Sequence, residues 1–206
     1  MGGKKGLLIF AKFPDVGNVK TRLGRTIGMQ KAASVYQELA GHTFAIGADV
    51  ARRGVTVYIF FEATVPEEVV RNWVRRPFSY APQVGTTLGE RMRNAFDLTF
   101  ARGMDEAVIV GTDIPGLSSP LIDAAFEFLR SKDVVIGPAA DGGYYLLGMK
   151  APTKDLFSGI VWSTPAVLPS TIDRIDQAGL RYALLEQLAD IDTEESYREY
   201  LRTKTG

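Results

Sequence analysis

Short apolar runs alternate along the chain with longer segments in which apolar positions recur every three or four residues. The short runs are apolar at nearly every position and predict strands buried on both faces, at 7–11, 55–61, 107–110 and 134–137. The periodic segments predict helices at 29–52, 66–74, 88–101, 120–129, 165–178 and 194–201. This alternation predicts a three-layer α/β/α fold with a mainly parallel, mixed sheet. Because no linker, repeat or low-complexity segment divides residues 1–206, we expect a single domain.

The composition narrows the kinds of chemistry that the chain can carry. It contains no cysteine, which excludes disulfides, thiolate metal sites and thiol catalysis. Its one histidine, His42, lies on or beside the apolar stripe of the first long helix, where a structural role is expected. The 24 basic and 24 acidic residues balance, so no overall field attracts nucleic acid or an anionic membrane. Because no apolar run could span a bilayer or act as a signal peptide, we expect a cytoplasmic protein without nucleic-acid or membrane partners.

A basic segment follows the first predicted strand. Lys12, Lys20 and Arg22 lie beyond its carboxyl end, where open α/β sheets bind ligands. A mobile lysine charge and a planar guanidinium together suit a di- or triphosphate, and Gly17 permits a close backbone approach. Val19 stands where a P-loop needs glycine, and no GxGxxG motif follows the strand. A solvated basic turn is the alternative, but the position after the strand favours phosphate binding.

A carboxylate ends another apolar strand. Residues 107–110 lead into Gly111, Thr112 and Asp113, and Pro115 prevents the strand from continuing. Asp113 is therefore predicted to point into the same crevice as the basic segment. A single aspartate beside bound phosphates is a common way of holding Mg²⁺, although a turn-forming aspartate would give the same sequence.

Two more acids lie near the end of the chain. In extended backbone Asp190 and Asp192 share one face, and they repel unless a cation or a basic group lies between them. A metal shared with Asp113 would supply that cation, with Asp192 favoured because Thr193 caps the next helix. The alternative is a solvated turn before that helix.

A glycine-rich segment follows the strand at 134–137. Asp141, Gly142, Gly143 and Tyr144 combine backbone N–H groups with an aromatic ring, a surface suited to a ligand. An Asp-Gly pair between two apolar segments is equally the signal of a hairpin turn.

Two shorter segments could shape the same pocket. Glu90 and Arg91 begin a predicted helix, and Trp162 precedes another. Helix-face charges and a core tryptophan are the simpler interpretations of these residues.

Taken in order, these segments resemble one protein family. The matching motifs are Lys-x-Pro-x-x-Gly-x-Val-Lys-Thr-Arg-Leu from Lys12, Leu-Gly-x-Arg-Met from Leu88, Gly-Thr-Asp-x-Pro from Gly111, Asp-Gly-Gly-Tyr-x-Leu-Leu-Gly from Asp141, Trp-Ser-Thr from Trp162 and Asp-x-Asp-Thr from Asp190. They resemble the DUF2064 family of bacteria and archaea, whose members are labelled as glycosyltransferases of the GT-A (nucleotide-diphospho-sugar transferase) fold. A more distant similarity is to the nucleotidyltransferases of F420 and molybdenum-cofactor synthesis.

The resemblance implies a role for each matching position. The implied nucleotide and phosphate contacts are Lys12, Pro14, Gly17, Lys20, Thr21 and Arg22. The implied acceptor pocket is Asp141, Gly142, Gly143 and Tyr144. Asp113, with Asp190 or Asp192, would hold Mg²⁺ or Mn²⁺, and the catalytic residues would be Lys20, Arg22 and Asp113.

The expected activity is metal-dependent glycosyl transfer from a nucleotide-sugar to a small-molecule acceptor, by a monomer or a homodimer. Nucleotidyl transfer with release of pyrophosphate, or non-catalytic binding of a nucleotide or sugar phosphate, are the alternatives. Two departures keep them open. The long loop from Pro14 replaces the GxGxR loop usual in nucleotidyltransferases of this fold, and Asp113 is a single acid where sugar transferases usually carry Asp-x-Asp.

Overall fold

The computed structural model describes residues 3–204, apart from the side chain of Lys154. The strands are β1 Lys5–Ala11, β2 Thr56–Glu62, β3 Ser79–Gln83, β4 Glu106–Val110, β5 Val134–Pro138, β6 Tyr144–Met149 and β7 Tyr182–Leu184. The α-helices are α1 Thr21–Ile27, α2 Met29–Arg52, α3 Glu67–Val74, α4 Leu88–Ala101, α5 Ser119–Leu129, α6 Val167–Gln177 and α7 Glu194–Lys204, and a 3₁₀ helix spans Lys154–Phe157. Within this part of the chain, no helix combines the length and the apolar composition needed to cross a bilayer.

The strands form one mixed sheet in the order β3-β2-β1-β4-β6-β5-β7. β6 runs antiparallel to β4 and β5, whereas the other neighbouring strands are parallel. The predicted three-layer α/β/α fold with a mainly parallel sheet is therefore confirmed. The predicted strands correspond to β1, β2, β4 and β5 and the predicted helices to α2–α7, with ends that agree within three residues.

Both faces of the sheet are covered, which explains why the strands are continuously apolar. Leu7 and Ile9 of β1 point to the face that packs against α2, α3 and α5, where they join Phe126. Leu8 points to the opposite face and joins Phe96 of α4 in a second core that also includes α6. Burying each of these side chains contributes about 1.5–3 kcal/mol, so α-helices are held on both sides of the sheet.

A third, smaller core joins the two ends of the chain. Leu23 of α1, Leu39 of α2 and Ile191 are buried together, and Tyr197 and Tyr200 of α7 pack against them. This core draws the segment before α7 towards the start of α1. It therefore brings the C-terminal acids to the loop that follows β1.

The strand order places a crevice at one edge of the sheet. The chain leaves β1 for β2 on one side, and β4 pairs with β1 on the other. Connections that diverge in this way leave an opening at the carboxyl ends of the two strands, the position where doubly wound folds bind ligands. The segments 12–20 and 111–113 follow these strand ends directly.

Candidate functional site

Lys20 lies at the centre of the site. It precedes α1 in the left-handed backbone conformation, with φ 48° and ψ 43°, and its side chain is only 2% exposed. Its Nζ is 3.1 Å from Asp113 Oδ2 and 3.1 Å from Asp192 Oδ1. For a residue other than glycine this conformation is unfavourable by about 1–2 kcal/mol.

Asp113 stands just beyond β4, as the sequence predicts. Its side chain is 45% exposed, yet its Oδ1 is buried and makes no hydrogen bond within the described part of the chain. Its backbone carbonyl accepts a hydrogen bond from Ile191 N at 3.4 Å. One carboxyl oxygen therefore faces Lys20, while the other lacks a protein donor.

Asp192 is the C-terminal acid that reaches Lys20. Its backbone N–H donates to Ser196 Oγ at 3.1 Å. Thr193 Oγ1 accepts from Ser196 N at 3.3 Å while Ser196 Oγ accepts from Thr193 N at 3.1 Å, so Thr193 caps α7 as predicted. Asp190 lies beside this pair. Burial, and then the charge of Asp192, raise the pKa of Asp190, whereas Lys20 lowers it.

The cation between the two carboxylates is thus an ammonium group of the protein itself. The sequence-based hypothesis has Asp113 and Asp192 facing each other across a divalent ion and Lys20 binding phosphate. In the structure, Lys20 lies between the two acids. The prediction that these acids come together agrees with the geometry, while metal ligation stays a prediction.

The remaining basic residues differ in position. Arg22 is exposed, lines the cavity described below and approaches Asp192 Oδ2 to 4.0 Å. Lys12, Pro14 and Gly17 lie on the loop after β1 and Thr21 is the first residue of α1; these four residues do not line the cavity. A phosphate role for these four residues remains a prediction. The sequence analysis places Arg22 in the segment that follows β1 and predicts no helix there, whereas in the structure Arg22 belongs to α1, which begins at Thr21.

Tyr36 fixes the loop after β1 to the loop after β4. Its hydroxyl donates to Lys12 O at 3.0 Å, accepts from Lys12 N at 2.9 Å and lies 3.0 Å from Thr112 Oγ1. Burial, and then the Asp113 carboxylate, raise the pKa of Tyr36, which keeps this hydroxyl protonated. Tyr36 belongs to the buried face of α2, and the sequence gives no sign of this role because its hydrogen-bond partners are distant in the chain.

A cavity of about 650 Å³ opens at this edge of the sheet. The charged residues that line it, among those that the structure describes, are Arg22, Asp113, Asp141, Asp190 and Asp192. The apolar residues of the lining include Phe10, Leu88, Met92, Tyr144 and Trp162. Four aspartates and one arginine line a space in which a nucleoside diphosphate would need additional positive charge.

The glycine-rich segment forms the turn between β5 and β6, so the hairpin interpretation of Asp141-Gly142 is correct. Gly142 has φ 87°, and a Cβ added there would lie 2.5 Å from the carbonyl oxygen of Pro165. The Gly142 carbonyl accepts from Leu168 N at 2.9 Å, and Gly143 N donates to Asp141 Oδ1 at 2.9 Å. Asp141, Gly143 and Tyr144 line the cavity, whereas Gly142 docks the turn against the start of α6.

Trp162 lines the cavity and also packs against the second core, in agreement with the core interpretation. Its ring stacks on Phe157 with centroids 6.5 Å apart, and a Cβ added to Gly89 would lie 2.5 Å from it.

Glu90 accepts from Thr86 and Thr87 and completes the capping box of α4, and Arg91 Nε donates to Gly85 O at 3.1 Å. The helix-face interpretation of Glu90 and Arg91 therefore agrees with the structure. His42 Nε2 lies 2.9 Å from Leu117 O, consistent with its expected structural role.

The carboxylates of the site supply some of the ligands that a divalent cation requires. Among residues 3–204, no three histidine, aspartate or glutamate side chains are grouped so as to hold a metal ion by themselves. Two carboxylates converge at Lys20, however, and Asp113 Oδ1 is a buried acceptor without a partner. Mg²⁺ is commonly bound by one or two carboxylates together with substrate phosphates and water. Asp113 and Asp192 therefore fit such an ion when phosphate oxygens complete its ligands.

Sequence comparison identifies the family. Residues 45–164 match the family described as "Uncharacterized protein conserved in bacteria (DUF2064)". The chain belongs to the DUF2064 family. Among curated proteins, none matches this sequence at a significant level.

Solved structures agree with this assignment. A protein of Desulfovibrio desulfuricans G20, provisionally named a nucleotide-diphospho-sugar transferase, is 34% identical over 98% of this chain and 88% of its own, with a TM-score of 0.89. The 4-diphosphocytidyl-2C-methyl-D-erythritol synthase of Anaerococcus prevotii DSM 20548 is 12% identical over 97% of this chain and 99% of its own, with a TM-score of 0.62. The glucosyl-3-phosphoglycerate synthase of Mycobacterium tuberculosis, solved with Mn²⁺, UDP and glucosyl-3-phosphoglycerate, is 10% identical over 92% of this chain and 71% of its own, with a TM-score of 0.51. At these low identities the last two show the fold alone, and this DUF2064 chain shares it with sugar transferases and nucleotidyltransferases.

Proposed function

We propose that this DUF2064 chain is a divalent-metal-dependent transferase that takes a glycosyl group from a nucleotide-sugar and passes it to a small-molecule acceptor. One observation carries the proposal. Asp113, Asp192 and Arg22 line a 650 Å³ cavity together with the rings of Tyr144 and Trp162, and Arg22 approaches Asp192 to 4.0 Å. This arrangement pairs carboxylates for a metal ion and a cation for phosphate with a surface on which a sugar or an acceptor can pack.

The relatives support the same reaction class. The protein of Desulfovibrio desulfuricans G20 is provisionally named as a transferase of nucleotide-diphospho-sugars. The glucosyl-3-phosphoglycerate synthase was solved with Mn²⁺ and UDP together. When bound by Asp113 and Asp192, Mg²⁺ or Mn²⁺ would act as a Lewis acid that stabilises the charge of the departing nucleoside diphosphate.

Other side chains of the cavity would bind the diphosphate and the acceptor. The exposed guanidinium of Arg22 would bind two oxygens of the diphosphate. Tyr144 and Trp162 would exclude water and pack against the acceptor. In the transfer itself, the bond from the anomeric carbon to the phosphate oxygen breaks and its electron pair leaves with the diphosphate. The acceptor oxygen forms the new bond to that carbon and loses its proton.

Nucleotidyl transfer is the second candidate, and the origin of the second carboxylate favours it. Sugar transferases of this fold usually carry Asp-x-Asp at the metal strand. In this chain Gly111 stands two positions before Asp113, so the strand end carries only one carboxylate. The second carboxylate comes instead from Asp192, on a separate segment. In this alternative an acceptor phosphate oxygen attacks the α-phosphorus of a nucleoside triphosphate, and pyrophosphate leaves.

The first test measures thermal stabilisation by a panel of nucleoside triphosphates and nucleotide-sugars, with and without Mg²⁺ or Mn²⁺. A ligand at ~100 times its dissociation constant adds roughly 2.7 kcal/mol to the free energy of unfolding. Asp113→Asn should keep the fold and lose the metal-dependent part of this gain. Asp173→Asn, which changes an exposed aspartate of α6 outside the cavity, is the matched control and should behave as the natural chain.

The same panel tests Arg22. Arg22→Ala should weaken nucleoside diphosphate binding by about 1.5–3 kcal/mol, roughly ten- to a hundredfold, and leave binding of the free nucleoside unchanged. Arg25→Ala removes an exposed charge of the same helix and should change neither. Equal losses for nucleoside and diphosphate would point to a folding defect. An unchanged metal response in Asp113→Asn would remove Asp113 from the metal site.

Product analysis separates the candidates. Release of a nucleoside diphosphate from a bound nucleotide-sugar supports glycosyl transfer, and release of pyrophosphate from a triphosphate supports nucleotidyl transfer. Metal-dependent binding without turnover of any donor, across a broad set of acceptors, would favour a non-catalytic binder and contradict the proposal.

A further inference from the structure

Lys20 already occupies the cation position that the proposed function assigns to a metal ion. Its ammonium is 3.1 Å from one oxygen of Asp113 and 3.1 Å from one oxygen of Asp192, and its side chain is 2% exposed. Two carboxylates and one ammonium give this cluster a net charge of −1. A divalent cation that approaches it meets two partly neutralised ligands and a like charge between them.

We infer that Lys20 acts as an internal counter-cation, which suppresses metal binding to the free protein and makes the metal enter together with phosphate. This inference rests on the metal site of the proposed function and adds an order of binding to it. Phosphate oxygens supply the negative charge that Lys20 cancels. They also supply ligands that the protein lacks, since within residues 3–204 no set of three acidic or histidine side chains can hold the ion by itself.

The backbone around Lys20 suits this role. The left-handed conformation at φ 48° directs the side chain to the carboxylates, and the Lys20 carbonyl accepts from Gly24 N at 2.8 Å to start α1. Its two partners are held independently. Ile191 N donates to the backbone carbonyl of Asp113, and the backbone N–H of Asp192 donates to Ser196 Oγ. The carboxylates therefore remain near each other when the ammonium moves.

Asp113 Oδ1 shows that the cluster is incomplete. This oxygen is buried and has no hydrogen-bond donor within the described chain, although Oδ2 of the same carboxylate contacts Lys20. A buried acceptor without a donor is unfavourable, because the oxygen has lost its water and gained no partner in return. A cation held by Asp113 and by phosphate would satisfy that oxygen, which makes the joint arrival of metal and phosphate favourable.

The test measures Mn²⁺ binding to the ligand-free chain by electron paramagnetic resonance and calorimetry, with no substrate and no turnover. Lys20→Met should bind Mn²⁺ roughly ten- to a hundredfold more tightly than the natural chain, because a neighbouring like charge is gone. Lys20→Gln should show the same gain. It serves as a second variant if Lys20→Met folds poorly, because the glutamine amide can donate hydrogen bonds to the carboxylates. Lys20→Arg keeps the charge and should retain weak binding.

Two further measurements complete the comparison. Adding a nucleoside diphosphate should tighten Mn²⁺ binding strongly in the natural chain and much less in Lys20→Met. Arg25→Met removes an equal charge from the exposed side of α1, and it should change Mn²⁺ affinity by less than about twofold because solvent screens it.

The outcomes distinguish this inference from the proposed function. Equal Mn²⁺ affinity in Lys20→Gln, Lys20→Arg and the natural chain would overturn the counter-cation role, even if nucleotides bind in a metal-dependent way. A gain in Lys20→Gln together with no binding of any nucleotide would uphold the counter-cation role and reject the transferase. Tight Mn²⁺ binding to the natural chain without nucleotide would also overturn the inference.

Discussion

Replacing Gly89 with alanine tests whether Trp162 forms the cavity wall by packing on α4. A Cβ at this position would lie 2.5–2.6 Å from three atoms of the indole ring. Favourable contacts between carbon atoms lie at about 3.5–4.0 Å, so the ring must move by roughly 1 Å. Because the ring also stacks on Phe157, it cannot move without disturbing a second contact.

The magnitude follows from two opposing terms. Alanine in place of a helical glycine stabilises a protein by about 0.4–1 kcal/mol when nothing obstructs it. Overpacking against neighbouring groups typically costs about 1–3 kcal/mol. Gly89→Ala should therefore lower the free energy of unfolding by about 0–2 kcal/mol. Gly41→Ala is the matched control, since a Cβ there meets no atom within 4 Å, and it should gain the full helical term.

The assay combines melting temperature with tryptophan fluorescence. For a chain of this size 1 kcal/mol corresponds to about 2–4 °C, so the two variants should differ by several degrees. Both variants also carry Trp73→Phe, which leaves Trp162 as the one tryptophan that reports fluorescence. Its emission should shift to longer wavelength in Gly89→Ala alone. If Gly89→Ala were as stable as Gly41→Ala and its emission were unchanged, the packing of Trp162 on α4 would be refuted.

Two further substitutions probe the polar side of the site. Burial, and then the charge of Asp192, raise the pKa of Asp190, so ionisation of Asp190 in the folded protein lowers the free energy of unfolding. This loss of stability is fully present above the raised pKa and disappears as the pH falls through it. Asp190→Asn should accordingly melt higher than the natural chain near neutral pH and show no gain in acid, as measured by melting curves across pH; a gain independent of pH would contradict this reasoning. Tyr36→Phe removes three hydrogen-bond contacts with Lys12 and Thr112, so it should lower the free energy of unfolding, measured by chemical denaturation, by about 1–3 kcal/mol. The control Tyr182→Phe, at the edge strand β7, should lower it less. Equal losses in the two variants would show that Tyr36 does not join the two loops.

The parts of the fold that sequence could predict are those with strong local patterns. The continuous apolar runs of β1, β2, β4 and β5 and the long periodicity of α2 predict their structures directly. Strands β3, β6 and β7 are not predicted as strands: β6 is the apolar segment that follows the glycine-rich turn, whereas β3 and β7 have weak local signals. β3 contains Pro82, which disfavours a strand, and β7 has only three residues. These edge strands form because a neighbouring strand offers hydrogen bonds, and a local pattern does not record that neighbour.

The candidate site shows the same division. The positions of Asp113 and Arg22 beside the crevice follow from strand ends and could be predicted. The position of Lys20 could not, because it depends on a left-handed backbone residue and on Asp192, which lies 172 residues away. The contact of Gly142 with Pro165 likewise requires the tertiary arrangement. Sequence therefore indicated which residue types meet, and only the structure shows which cation lies between the carboxylates.

The separation between Lys20 and Asp192 also has a consequence for how the protein folds. A contact between residues 172 positions apart closes a loop that spans most of the chain, and such contacts form late because chain entropy opposes them until much of the structure is in place. During synthesis, β1 and Lys20 emerge long before Asp192, the carboxylate that pairs with Lys20. The site thus comes into being only when the segment around Ile191 docks on α1 and α2, so an incompletely made chain has a sheet but no assembled binding centre.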